Sequence, residues 1–279
     1  SEFITMSVDK IDLEALRVVE PIDEIIDLEQ FKINPNDKLI EPVPILSVKE
    51  RYNSISLMNE GNISLVQGAA KSRKTTLLKS IWEAIITGEN NKLISNYNRR
   101  KIAVFDTEQS KYYCQKAVMV IKSMTGVDID YFKIVGTSNT LKMKIVEKYL
   151  ELNPDVGFIT LDNIVHFVTD FNNQAEATNI IQWEQGLVDK YNTHICNVLH
   201  ENSSGESTKA KGHLGTLLVN ACDTIIRIEK DKSDKSKSIV SPKEMRGLEF
   251  NPFYLEMDMQ GIPYLSDIPE DYNKKITRY

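Results

Sequence analysis

Cysteine is scarce in this chain. There are three in 279 residues, Cys114, Cys196 and Cys222, odd in number and widely spaced. That excludes a disulfide framework and a C-x-x-C metal or redox motif. Histidine is scarce too: four in all, with no paired spacing, which argues against zinc. No apolar run approaches the roughly 18 residues that a membrane-spanning helix needs. No signal-peptide pattern opens the chain, and residues 1–5, ahead of Met6, read as a cloning remnant. These absences predict a soluble cytoplasmic protein with no membrane partner. An excess of positive charge is missing as well. A formal net charge of −6 speaks against the broad basic face of a large nucleic-acid footprint, while leaving room for a local basic site. What remains, 41% hydrophobic and 27% charged, is ordinary for a globular protein.

Residues 6–45 are acidic, punctuated by Pro21, Pro35, Pro42 and Pro44, and read either as an N-terminal arm lying on the core or a neighbour or equally as a flexible leader, with one short helix at 22–30. From about residue 60 apolar strands alternate with amphipathic helices. Strands are expected at 63–67, 102–105, 132–135, 157–161, 195–199 and 224–228. Helices are expected at 74–87, 109–124, 142–152, 175–191 and 214–222. That alternation predicts an α/β fold with a mostly parallel central sheet flanked by helices. Beyond 237 the pattern turns strand-like, at 238–240, 253–257 and 263–265, after a lysine-rich run at 230–237 that suits a hairpin tip. The expected layout is an arm at 6–45, a core at 46–266 and a tail at 267–279.

The chemistry is concentrated first in Gly68-Ala69-Ala70-Lys71-Ser72-Arg73-Lys74-Thr75, followed by Thr76. This is the phosphate-binding pattern G-x-x-x-x-G-K-[ST] with one change: Arg73 stands at the second glycine. The loop follows a buried strand and opens a helix, as the motif requires. A helix N-terminus offers free N–H groups to phosphate. Lys74 would then hold the outer phosphates and Thr75 a magnesium ion. A Cβ at position 73 could narrow the pocket or tilt the loop. Alternatively, Lys71 and Arg73 could add cationic contacts that tighten binding and slow turnover.

Three further strand ends carry polar residues. Asp106-Thr107-Glu108-Gln109 places Glu108 where a water-orienting carboxylate would sit, although acidic residues also favour a helix start. Phe158-Ile159-Thr160-Leu161-Asp162 is an apolar strand ending in an Asp that fits magnesium, or simply caps the strand. Val198-Leu199-His200 ends in a polar residue able to sense the γ-phosphate, or in a satisfied strand-end histidine.

This order of stations resembles the RecA-like ATPase family and, within it, the hexameric replicative helicases of the DnaB and RepA type. The resemblance spans roughly residues 45–265. The segments Lys209–Thr216 and Asn220–Ile226 also resemble that family's loop and short helix. The family likeness implies ATP and Mg2+ as cofactors, with Glu108 catalytic and Asp162 and Thr75 on the metal. It implies a homo-oligomeric, hexameric ring and trans-acting cations at Lys243 and Arg246. Here those two are spaced K-x-x-R rather than the family's K-x-R. It further implies single-stranded DNA held by two pore loops. One contains His166, Phe167 and Asn172; the other contains Ser203, Ser204, Lys209 and Lys211. Stacking on Phe167 and charge from Lys209 and Lys211 would supply that contact. The K-S-R-K-T loop resembles those of ATPases carried by bacterial mobile elements and phages. The function implied is an ATP-driven motor in mobile-element DNA replication or mobilisation. A nucleotide-gated switch with little turnover is the alternative. A small-molecule kinase is disfavoured because no lid segment is evident.

Overall fold

In the computed structural model, which describes residues 27–201 and 212–269, the chain divides into two units at Glu41/Pro42. The first contains a 3-10 turn, Leu28–Phe31, begun by the Asp27 carboxylate, which accepts the Glu29 amide at 3.1 Å. The expected helix at 22–30 lies partly outside the described residues.

The second unit is built on β3 (Ile63–Gly68), buried at every position. Its side chains alternate between two cores: Leu65 joins one, Val66 the other. That alternation is the pleat of a strand covered on both faces, and it demands a continuous apolar run. Around it lie β5 (Ile102–Asp106), β6 (Asp130–Lys133), β7 (Phe158–Asp162), β8 (His194–His200) and β9 (Thr224–Lys230), all parallel. Three strands continue the sheet antiparallel from β9: β10 (Ser238–Met245), β11 (Phe253–Met257) and β12 (Pro263–Asp267). The order is β12-β11-β10-β9-β3-β8-β7-β5-β6. This is the expected α/β architecture with antiparallel C-terminal strands.

Two layers of helix cover the sheet. α1 (Lys74–Thr87) and α2 (Lys111–Thr125) contribute to one core. α3 (Asn139–Leu152), α4 (Gln174–Tyr191) and α5 (Gly212–Ala221) contribute to the other. α1 buries Leu77, Leu78, Ile81, Trp82 and Ile85, each contributing about 1.5–3 kcal/mol relative to exposure. It stops at Gly88, whose φ of 103° only glycine adopts readily. α3 and α4 start on side-chain caps from Ser138 and Asn173.

The structure departs from the sequence pattern in several places. A small antiparallel sheet, order β2-β1-β4, is formed by β1 (Pro44–Lys49), β2 (Ser54–Asn59) and β4 (Leu93–Ile94). β1 and β2 carry serines within their apolar pattern and β4 has only two residues, so no clear period marks them. β6 sits two residues earlier than the apolar run suggests, because pairing with β5 sets its register. β10 runs through Pro242, which is tolerated because a bulge between Pro242 and Glu244 breaks the ladder there.

Candidate active site

Four parallel strands end side by side at one sheet edge. β3 ends at Gly68, β5 at Asp106, β7 at Asp162 and β8 at His200. The register pairs Gly68 with His200 and Asp106 with Asp162. Ligands of parallel sheets sit outside this edge.

Gly68 has no room for a side chain: a Cβ there would collide with the Ile228 carbonyl and stand 2.7 Å from Ser72 Oγ. The loop then turns through Lys71 and Arg73, with φ of 63° and 75°, before α1 begins. The Ser72 amide closes back on the Ala69 carbonyl at 3.2 Å. The first-turn amides of α1, at Lys74, Thr75 and Thr76, have no intrahelical acceptors and carry the positive end of the dipole. Lys74 Nζ lies over the loop, donating to the carbonyls of Gly68 (2.9 Å) and Ala69 (2.7 Å). Burial lowers its pKa to about 8, against the pull of Asp162, Glu108 and Glu201. Thr75 is half-buried beside it. The Thr76 hydroxyl faces away, 3.6 Å from Met257 Sδ. Lys71 is exposed. Arg73 reaches the β9–β10 turn: Nη1 lies 3.2 Å from Ser238 Oγ and Nη2 3.0 Å from the Lys235 carbonyl.

Asp162 is 6% exposed. Its backbone carbonyl accepts from Thr107, while none of the described residues donates to its carboxylate. Burial first, then the charges of Asp106 and Glu108, push its pKa up to about 8 in spite of Lys74. A buried carboxylate without described donors, within the field of Lys74 at the start of α1, suits a hard cation that brings its own water and phosphate oxygens. Among the described residues no cluster of three His, Cys, Asp or Glu could hold a metal alone. The residues at this strand end therefore do not form a protein-caged ion site.

Glu108 is aimed by Asp106, a residue that sequence reasoning placed at the strand end without a task. The fully buried Asp106 carboxylate accepts the amides of Glu108 (2.9 Å) and Gln109 (2.8 Å), Gln109 Nε2 (2.9 Å) and the Tyr131 hydroxyl (2.6 Å). This turn keeps residues 107–109 out of α2, which therefore starts at Lys111 and not at the expected 109. The Glu108 carboxylate accepts from Asn163 Nδ2 (3.3 Å) and meets His200 Nε2 at 3.1 Å. His166 Nδ1 stands 4.0 Å away. Burial raises the proton affinity of Glu108, but the His200 bond and charge, Asn163 and His166 outweigh it, and the net shift is downward. Glu108 is therefore an ionised acceptor suited to orienting a water. His200 Nδ1 is buried with no partner among the described residues.

Behind the loop lies a group that sequence reasoning missed. Glu201, the residue after His200, is buried and accepts from Gln67 Nε2 (3.2 Å) and Arg227 Nε (2.8 Å). Burial lowers the pKa of Lys243, and the charge of Glu201 acts against that. A strand-end glutamate beside a strand-interior arginine was the available signal. Arg246 is placed elsewhere. It lies at the opposite end of β10, at the other sheet edge, 75% exposed and 2.9 Å from Asp223.

The candidate nucleic-acid residues fare unequally. Phe167 is 2% exposed, in a 3-10 turn, with its ring 5.9 Å from that of Trp183. Apolar burial wins over presentation to solvent, and the ring is unavailable for stacking. Ser203, Ser204, Lys209 and Lys211 lie outside the described residues.

An apolar groove of about 400 Å3 opens between α2 and the β11–β12 turn, lined by Tyr112, Gln115, Lys116, Met119, Gln260 and Ile262. It borders α1, since a Cβ on Gly261 would lie 3.9 Å from Lys79 Nζ. A larger cavity, about 500 Å3, lies far from these strand ends, around Asn59, Asp223 and Arg246. No helix among the described residues is long and apolar enough to cross a membrane.

No protein-family model matches the chain. No curated protein matches it either. Among solved structures it is similar to a RadB recombinase, with a TM-score of 0.54 and 16% identity, over 77% of this chain and 94% of that one. At that identity the likeness speaks for architecture alone: with its phosphate-loop strand at the sheet's centre and antiparallel strands at one end, the chain has a RecA-like α/β fold.

Proposed function

We propose that the protein is a magnesium-dependent ATPase. The observation that carries this reading is the convergence of Lys74, Asp162 and the Glu108–His200 pair on the mouth of the loop at α1. Lys74 is held by two loop carbonyls that a phosphate would replace as its partners. The amides at the start of α1 receive phosphate oxygens. Thr75 and Asp162 are the residues that would hold magnesium, which when bound neutralises charge on the outer phosphates. Glu108, ionised and fixed by Asp106, Asn163 and His200, orients the attacking water. The groove beside Tyr112 is apolar and large enough to take a nucleobase.

The wider role we propose is a ring-forming motor, a helicase or helicase-like protein in mobile-element DNA replication or mobilisation, acting on single-stranded DNA. It rests on the resemblance of the motif order. Lys243 and Arg246 are proposed as cations offered to a neighbouring subunit's nucleotide. Arg246 is the better placed of the two because its side chain is largely exposed. A switch with little turnover is the second reading, favoured by a loop that Arg73 ties to its surroundings.

The test is ATP turnover by phosphate release, with and without single-stranded DNA, for the wild type and Glu108→Gln. DNA-stimulated turnover that falls about 10²-fold or more in Glu108→Gln, with ATP still bound, supports the motor. Tight binding without turnover under any condition supports the switch. Failure of the wild type to bind ATP with magnesium overturns both. Size-exclusion with and without nucleotide tests the ring.

A further inference from the structure

The arginine in place of the second loop glycine has a structural partner that no strand-end pattern anticipates. Position 73 lies in the left-handed region, φ 75° and ψ 35°. Glycine reaches that conformation freely, whereas an L-residue is destabilised there. Arg73 accepts this conformation while its guanidinium bonds the Lys235 carbonyl at 3.0 Å and Ser238 Oγ at 3.2 Å. Ser238, fully buried, in turn donates to the Ser72 carbonyl at 3.1 Å. The segment thus gripped is well formed. The turn at 231–237 is closed by Asp231 N to the Lys237 carbonyl (3.0 Å) and by Asp side chains that accept the amides of Ser233 (2.9 Å) and Ser236 (3.0 Å). Its entering strand also walls the other end of the loop, where Gly68 is pressed against Ile228. The phosphate loop is therefore held at both ends by one hairpin.

We propose that Arg73 is a positioning residue: it cross-links the phosphate loop to the β9–β10 hairpin and so holds the loop in its phosphate-receiving shape, without touching phosphate itself. The inference rests on the ATPase reading for its consequence, but the cross-link exists without nucleotide. Loop geometry is set by the hairpin, and nucleotide affinity becomes a property of the two together. A guanidinium serves where an ammonium would not, because two acceptors at fixed separation are met by two of its N–H groups.

The experiment has two readouts on the full chain. Hydrogen exchange without nucleotide follows residues 69–73 and 231–237 in the wild type, Arg73→Ala and Ser238→Ala. The expected result is faster exchange in both segments in either variant. Unchanged exchange at 231–237 in both variants overturns the cross-link, whatever the protein does with ATP. Affinity for a fluorescent ATP analogue with magnesium is the second readout. Arg73→Ala and Ser238→Ala should each weaken it about tenfold, and the double variant no further, because they break one linkage. Arg73→Gly, which restores the unstrained backbone, should stay weak. If Arg73→Gly binds as tightly as the wild type, the cross-link is dispensable and the proposal fails. It fails equally if Ser238→Ala binds normally while the Arg73→Ala defect fades at high salt, the signature of direct contact with phosphate. If Arg73→Ala does not fold, Ser238→Ala alone decides by the same two readouts. A wild type that binds no ATP analogue overturns the ATPase reading and leaves the exchange result standing.

Discussion

Strand β8 carries a histidine at each end, and the two have opposite surroundings. His194, at the amino edge, is fully buried. One ring nitrogen meets Ser64 Oγ at 2.8 Å, the other meets the Asn59 carbonyl at 2.7 Å, and the ring stacks on Phe158. His200, at the carboxyl edge, bonds Glu108 through one nitrogen and leaves the other buried without a described partner. The contrast extends along both edges. At the amino edge Arg99 donates to the carbonyls of Pro154, Asp155, Val156, Tyr191 and Asn192, and pairs with Glu60 at 3.0 Å. It thereby occupies the ends of α3 and α4. At the carboxyl edge Asp162 has no described donor and Lys74 rests on its own loop. At the carboxyl edge these unpartnered groups lie where a ligand would meet them, whereas Arg99 and His194 are fully engaged within the protein.

The largest break in this comparison is expected from Lys74→Ala and Asp162→Asn. Each should lower ATP turnover about 10²-fold or more. Asp162→Asn should raise the thermal midpoint, because a buried carboxyl group without donors is replaced by a neutral amide. A fall in midpoint with turnover retained would assign Asp162 to the scaffold. Arg99→Ala should do the reverse: ATP affinity unchanged, and stability to urea reduced by about 3 kcal/mol as several carbonyls and Glu60 lose their donor.

pH separates the buried groups by sign. Burial lowers the pKa of His194 to about 4 from 6.5. Between those values the unfolded chain binds a proton that the native state does not. Stability from this group is therefore complete above pH 6.5 and lost as pH falls, by about 3 kcal/mol at pH 4. Glu184, bonded to Asn197 at 2.9 Å, gives the opposite slope. Burial raises its pKa to about 8 from 4.5, so its stabilisation is complete at low pH and is lost as pH rises through that window. Urea titrations of His194→Gln and Glu184→Gln against the wild type, from pH 4 to pH 8, should show gaps that change with pH in opposite directions. A gap constant with pH would remove that group from the argument. The smallest effect is expected from Arg246→Ala. Its exposed pair with Asp223 contributes no more than about 1 kcal/mol. A loss of turnover without loss of stability would therefore point to action on a neighbouring subunit.

Much of the fold was legible because it is periodic. The strand at 63–67 and the helix at 74–87 were visible in their spacing, and the glycine at 88 marked an end that the structure keeps. The strand ends at Asp106, Asp162 and His200 followed from those elements. The small β1–β2–β4 sheet was not legible, since serines interrupt the apolar pattern of β1 and β2, and β4 has only two residues. Nor was the work of Asp106, whose partner Tyr131 is 25 residues away.

The sequence alone determined which residues arrive at the carboxyl edge, because strand length and the parallel connection dictate where each strand ends. Only tertiary structure decided what each side chain does there. Phe167 reads as an exposed aromatic until α4 brings Trp183 against it. Arg73 reads as a phosphate ligand or a steric fault until β10 brings Ser238, 165 residues on, within reach of its guanidinium. Local periodicity fixes direction and burial; partnership depends on register between strands far apart in the chain, and no window of sequence contains it.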